Sequence, residues 1–133
     1  MARPPKKRKL KNPPVMEGFR PFGIPFTDLE PEILMFEEYE AIKLADYEGL
    51  NHIEAAKSMG VSRPTFTRIY ENARRAIARA FTEGKAIFFD GGNYYTQDYW
   101  YRCNECLKLN INTQQLLECN YCKSDNLRRI DKK

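Results

Sequence analysis

The chain has 133 residues, 42% of them apolar and 30% charged, enough for one ordinary domain or two very small ones around a modest core. No apolar run approaches the ~18 residues a membrane helix needs, and the basic N-terminus lacks the apolar stretch of a secretory signal. With His52 the only histidine, mechanisms built on two histidines are excluded. The net charge of +4 conceals a strong segregation. Residues 1–20 carry seven bases and one acid, residues 21–50 one base and eight acids, residues 51–85 seven bases and three acids, and residues 86–133 seven and six. Charge separated in this way predicts different faces for different partners.

Residues 1–25 read as a basic arm and lead-in. Four prolines among the first 14 residues deny it helix or ladder hydrogen bonds, so Arg3, Lys6, Lys7, Arg8 and Lys9 are expected on a flexible segment that reaches phosphates or a minor groove. Residues 26–85 read as helical. Phe36, Tyr39, Ile42, Leu44 and Tyr47 recur at roughly helical spacing among Glu37, Glu38, Glu40 and Asp46. The acids of residues 28–48 are expected to form a solvated face that repels DNA, or else a docking face for a basic partner such as RNA polymerase.

A short helix is expected from about His52 to Met59, ended by Gly60. His52 itself reads as an exposed polar residue at the start of that helix rather than a ligand or switch. Ser62 offers an N-cap hydroxyl, and Pro64 suits a first turn. The long helix that follows carries an apolar stripe of Phe66, Ile69, Tyr70, Ala73, Ile77, Ala80 and Phe81 between basic flanks and stops at Gly84. Ala56 lets two helices approach, Gly60 permits a positive φ in the turn, and Ala55, Met59, Val61, Phe66 and Ile69 fill the core positions of a helix-turn-helix. A plain three-helix bundle with an incidental glycine turn has the same outline. In a helix-turn-helix the second helix enters the major groove, which puts Ser62, Arg63, Pro64, Thr65, Thr67 and Arg68 against base edges. Arg63 and Arg68 can fork onto guanine, and the threonine methyls can meet a thymine methyl.

Gly23-Ile24-Pro25, the run from Glu40 to Leu50, Glu54-Ala55-Ala56, Met59 to Phe66, Ala73-Arg74 and Asp90-Gly91-Gly92 carry a family resemblance over about residues 3–94. The chain resembles an uncharacterised prokaryotic family, a domain of unknown function held to bind DNA through a helix-turn-helix similar to region four of sigma factors. The resemblance implies a cytoplasmic protein of bacteria or archaea with double-stranded DNA as its partner.

Residues 86–133 change character. Cys103-x2-Cys106 and Cys119-x2-Cys122, twelve residues apart, use every cysteine in the chain. Two thiolate pairs on tight turns suit a closed, structural, tetrahedral zinc site; rubredoxin-like iron shares the ligand set, and a redox pair or disulfides fit less well. Leu107, Leu109 and Ile111 alternate as in a strand, and the segment resembles a zinc ribbon, including Ser124 and Leu127. Ribbons usually place glycine where Lys123 stands, so the resemblance implies a strained turn there. Tyr94, Tyr95, Tyr99, Trp100 and Tyr101 are expected to pack the module against its neighbour, with stacking on bases as the alternative.

The expected architecture is therefore a mainly α helix-turn-helix domain plus a small β zinc-ribbon-like module. Its expected function is sequence-specific DNA binding in transcription regulation, with a homodimer as one means of doubling the footprint. The alternative is a zinc-ribbon adaptor that binds protein or RNA. No phosphate loop, nucleophile–histidine pair or open metal position is evident, so no enzyme is expected.

Overall fold

The computed structural model describes residues 6–25 and 30–131. Arg3, one of the expected DNA contacts, lies outside them. The elements in chain order are β1 Arg8–Lys9, β2 Gly18–Phe19, β3 Glu32–Leu34, α1 Phe36–Ile42, a π-helical turn Lys43–Tyr47, α2 His52–Met59, α3 Arg63–Glu83, β4 Ile87–Phe89, β5 Tyr94–Tyr95, β6 Tyr99–Cys103, β7 Leu109–Asn112 and β8 Leu127–Arg129. No helix among the described residues is long and apolar enough to cross a membrane.

Local chemistry sets the helix ends. Asn51 accepts the Glu54 amide at 2.8 Å while the Glu54 carboxylate accepts the Asn51 amide at 3.2 Å, a reciprocal cap that starts α2. Gly60, at φ +67°, ends α2 in the left-handed conformation, and the Val61 amide closes the turn on the Ala56 carbonyl at 3.0 Å. Ser62 caps α3 by accepting the Thr65 amide at 3.3 Å, with Pro64 in the first turn. The buried stripe of α3 is Phe66, Ile69, Tyr70, Ala73, Ala76 and Ala80. Phe81, expected in it, is 89% exposed, because the 3.6-residue period carries it out of the stripe that Ala76 and Ala80 hold.

The three sequence segments do not fold separately. A three-stranded sheet has β4 at its centre, antiparallel to β2 (Gly18 opposite Phe88) and parallel to β3 (Ile33 opposite Phe88), so each segment contributes one strand. Only glycine fits at position 18, since a Cβ there would stand 2.0 Å from the Ile87 carbonyl oxygen. A second sheet pairs β1 with β5 in parallel, and a third places β6 between β7 and β8, antiparallel to both. Leu10, Leu44, Met59, Phe66, Tyr94 and Trp100 share one core. The boundaries expected after residues 25 and 85 therefore cut through a common sheet and a common core.

The basic segment is correspondingly not a free arm from residue 8 onward. The Arg8 amide donates to the Asn93 carbonyl at 3.0 Å, the Leu10 amide to Tyr95 at 3.1 Å, and Leu10 is 3% exposed. The acidic helix is equally not a solvated face: Glu37, Glu38 and Glu40 are 3%, 6% and 0% exposed. An ion pair and a backbone hydrogen bond join the two blocks. Arg8 Nε lies 3.1 Å from Glu37 Oε2, the Lys11 amide donates to Glu40 Oε2 at 3.2 Å, and Glu40 Oε1 meets Lys43 Nζ at 2.8 Å. Glu38 instead caps α1 by accepting the Met35 amide at 2.9 Å, and burial raises its pKa above the usual carboxylate value. Buried carboxylates require such partners, which the sequence holds about 30 residues away.

Candidate metal centre and nucleic-acid face

The four cysteines come together at one end of the β6–β7–β8 sheet, with their sulfurs all within 4.8 Å of one another. β6 delivers Cys103, whose Sγ accepts the amides of Glu105 and Cys106, each at 3.4 Å, while the Leu107 amide closes on the Cys103 carbonyl at 3.0 Å. The second turn repeats the first. Cys119 Sγ accepts the Tyr121 amide at 3.4 Å, and the Lys123 amide closes on the Cys119 carbonyl at 3.1 Å. Cys103 Sγ lies 3.5 Å from Cys122 Sγ, and Cys106 Sγ 3.7 Å from Cys119 Sγ. A tetrahedral S4 site with bonds of about 2.3 Å has sulfur–sulfur edges of about 3.8 Å, whereas a disulfide needs about 2.05 Å. The thiols are free and spaced to hold a metal ion.

Backbone amides favour the thiolate form at Cys103 and Cys119, whereas Cys122, despite the Ser124 amide, is pushed up to about 11 by the neighbouring Cys103 thiol and by burial. The Cys106 amide lowers the Cys103 thiol, and the amides of Cys122 and Tyr121 bring Cys119 down to about 6. Asn110, 1% exposed, donates to Cys119 Sγ at 3.4 Å and accepts the Asn120 amide at 2.8 Å. This asparagine orients a ligand and braces its turn, a role absent from the sequence expectations; its position inside an alternating strand was the available signal. Four sulfurs make a complete ligand set for one tetrahedral metal ion.

Both residues that follow the CxxC pairs have positive φ, Leu107 at +66° and Lys123 at +64°. The strain expected at Lys123 thus has a twin at Leu107. Both side chains are exposed, so replacing them loses little packing. Lys123→Gly and Leu107→Gly should each stabilise the protein by about 1 kcal/mol, since a left-handed L-residue costs about 1–2 kcal/mol and the entropy of glycine returns part of the gain. A higher denaturation midpoint in guanidinium checks this, and an unchanged or lower one contradicts it.

The module is bound tightly to the rest of the chain. Arg102, 5% exposed, donates to the carbonyls of Val15 at 2.8 Å, Leu107 at 3.2 Å and Pro14 at 3.3 Å. Tyr94 stacks on Trp100 with centroids 5.9 Å apart, and Phe36 of α1 meets both rings edge-on. Tyr94, Trp100 and Tyr101 are therefore packing residues. Tyr95 is 42% exposed, and Tyr99 carries the Arg129 guanidinium 4.9 Å from its ring centroid.

On the helical side, Ser62, Arg63, Pro64 and Arg68 are exposed at the start of α3, and Thr65 and Thr67 are half-buried. Their hydroxyls already have partners: Ser62 Oγ lies 2.9 Å from Thr65 Oγ1, and Thr67 Oγ1 lies 2.9 Å from His52 Nδ1. His52, expected in solvent, is half-buried, with its ring edge-on to Phe66 and Tyr70 at 5.2 and 5.1 Å. It fastens α2 to α3. Of the basic segment, Lys6 and Lys7 are exposed, Lys9 is half-buried, and Arg8 is withdrawn from any DNA contact by its pairing with Glu37. β1 lies against α2, which keeps these lysines on the helical unit.

Among the described residues, three α-helices, three small sheets and a cluster of four thiols define an α+β protein with a site able to hold a metal ion. The chain belongs to the DUF134 family, described as proteins of unknown function, which its residues 1–97 match. It is similar to a UPF0251 protein of Halothermothrix orenii, 48% identical over 106 residues that cover 80% of this chain and 78% of the relative. A UPF0251 protein of Clostridium tetani is 43% identical over 129 residues, 96% of this chain and 88% of the relative. Another, of Desulforudis audaxviator, is 41% identical over 125 residues, 90% of this chain and 82% of the relative. The Clostridium alignment is long enough to take in the cysteine module, which lies beyond the family match. No solved structure matches the chain.

Proposed function

We propose that this protein is a sequence-specific binder of double-stranded DNA that regulates transcription in the prokaryotic cytoplasm. In this proposal α2, the Gly60 turn and α3 act as a helix-turn-helix similar to sigma region four, and the cysteine module is a zinc-ribbon-like unit around one structural zinc ion. The observation that carries it is the first turn of α3: its apolar side is buried against α2, while Arg63, Pro64 and Arg68 face solvent beside the capped turn. Such a helix end fits a major groove of about 12 Å, and an arginine can contact both acceptors of guanine. Lys6, Lys7 and Lys9 add phosphate contacts from the adjacent β1 segment, with Arg3 beyond it. Four sulfurs and a reducing compartment suit zinc, with iron the less fitting ion.

Gel shifts against a selected duplex test it. Arg63→Ala should cost about 1–3 kcal/mol and relax the preference at one base position. Replacing Lys6, Lys7 and Lys9 together by Ala should weaken binding to all duplexes alike and flatten the salt dependence. If neither change alters DNA affinity, the proposal fails.

The second function we consider is an adaptor that binds protein or RNA through the cysteine module, because Leu107, Leu117 and Tyr121 there are 64%, 89% and 60% exposed. It requires Leu117→Glu, rather than Arg63→Ala, to abolish partner binding. The acidic helix no longer contributes to it, since Glu37, Glu38 and Glu40 are buried. Neither proposal involves enzymatic activity.

A further inference from the structure

The C-terminal end of α3 carries an apolar surface that none of the roles above uses. Phe22 is 98% exposed, Phe81 89%, Phe19 57% and Ile24 48%. Phe19 and Phe81 meet in one groove, and Phe22 stands in the chain between Pro21, which lines it, and Ile24. Phe19, Pro21, Ile77, Ala80, Phe81 and Ile87 line one groove of about 290 Å³, and Ile24 Cδ1 lies over Gly84. Drug-sized ligands occupy pockets of about 300–1,000 Å³, so this groove fits an inserted side chain better than a small molecule.

We propose that this surface is the interface of a two-fold homodimer. A two-fold interface must be self-complementary, each copy offering both the protruding group and the recess that receives it. Here the exposed Phe81 lines the groove and Phe22 follows Pro21 at its edge, so a second copy supplies the matching pair. The area agrees. At about 150–250 Å² for each fully exposed ring, the three phenylalanines offer roughly 400–600 Å² of apolar surface per copy. A standard interface buries about 800 Å² per partner, and homodimer interfaces are about 65% apolar, which requires roughly 500 Å².

Charge at the rim points the same way. Arg79 and Lys85 are compensated by Glu32, at 2.8 and 3.9 Å, and Lys85 also by Glu83 at 3.4 Å. A second copy meets a locally neutral surface, whereas a polyanion gains little there. The proposal stands independently of DNA binding but gives it a geometry. Phe81 follows Arg63 by 18 residues, or about 27 Å of helix. Two α3 helices that meet at the Phe81 end and splay outward can then present their first turns to half-sites about 34 Å apart.

Sedimentation of the full-length, metal-loaded protein without DNA, at roughly 1–100 μM, tests this directly. The wild type should form a dimer, and Phe81→Glu and Phe22→Glu should each raise its dissociation constant ~10-fold or more. Leu117→Glu, on the cysteine module, should leave that constant unchanged. The three side chains are so exposed that the variants keep their fold, which circular dichroism verifies. A monomer throughout the range overturns the proposal. So does a dimer that resists both phenylalanine changes but yields to Leu117→Glu. A dimer that binds no duplex supports this interface and refutes the DNA proposal; a strict monomer that binds duplex does the reverse.

Discussion

Cys119→Ser should leave the protein metal-free and largely unfolded. Cys119 is buried, and its sulfur receives the Tyr121 amide and the Asn110 side chain, each at 3.4 Å. A serine hydroxyl is a poor ligand for a soft-metal site and ionises with difficulty. Structural zinc contributes on the order of 10 kcal/mol to small folds at neutral pH, which matches or exceeds the ~5–15 kcal/mol by which whole domains are stable. The loss should not stay within the module, because Trp100 and Tyr94 of this region complete the core beneath Phe36, and Arg102, next to Cys103, ties down residues 14 and 15. Chelation of the wild type should produce the same state. Cys122→Ser, at an exposed position, should lower metal affinity with a smaller loss of structure. Metal content by mass spectrometry and unfolding by near-ultraviolet circular dichroism read both effects. A Cys119→Ser protein that melts with the wild type would contradict a structural metal site.

Arg8→Ala should destabilise the protein by about 3–5 kcal/mol, the cost of leaving one partner of a buried pair uncompensated. Arg8 and Glu37 are 8% and 3% exposed, with Nε and Oε2 3.1 Å apart. Glu37 also accepts the Asn93 amide, so it joins α1 to the turn before β5. Glu37→Gln should cost a similar amount, by stranding the guanidinium. The double variant Arg8→Ala, Glu37→Gln should lose clearly less than the two single losses combined, because it removes both charges and strands neither. Urea denaturation of the four proteins gives the coupling. A free basic arm predicts no stability change for Arg8→Ala, so this substitution distinguishes an arm from a β1 strand built into the fold.

The features legible in the sequence are those made by neighbours in the chain. Gly60, Ser62, Pro64 and Gly84 act within one turn of where they stand, and α2 and α3 begin and end beside them. The paired CxxC spacing likewise builds each half of the thiol cluster locally. What could not be read depends on distant partners. Gly18 opposes Phe88 and Arg8 opposes Tyr94, pairings across 70 or more residues between strands of two or three residues each. Without those partners, Arg8 to Lys11 looks like a solvated run and Glu37 to Glu40 like an exposed face, although Arg8 and Glu37 are buried as a pair and Lys43 meets Glu40. The Asp46–Tyr70 hydrogen bond, at 2.7 Å, depends on the π-helical turn Lys43–Tyr47, which apolar periodicity cannot reveal.

Selection of genomic DNA fragments by the immobilised wild-type protein, at low and at physiological salt, tests the proposed function most directly. One recurrent motif should be enriched at both salt concentrations, with two half-sites about one helical turn apart, and Arg63→Ala should lose that enrichment. Fragments recovered without any common motif, and equally by Arg63→Ala, would contradict sequence-specific recognition through α3.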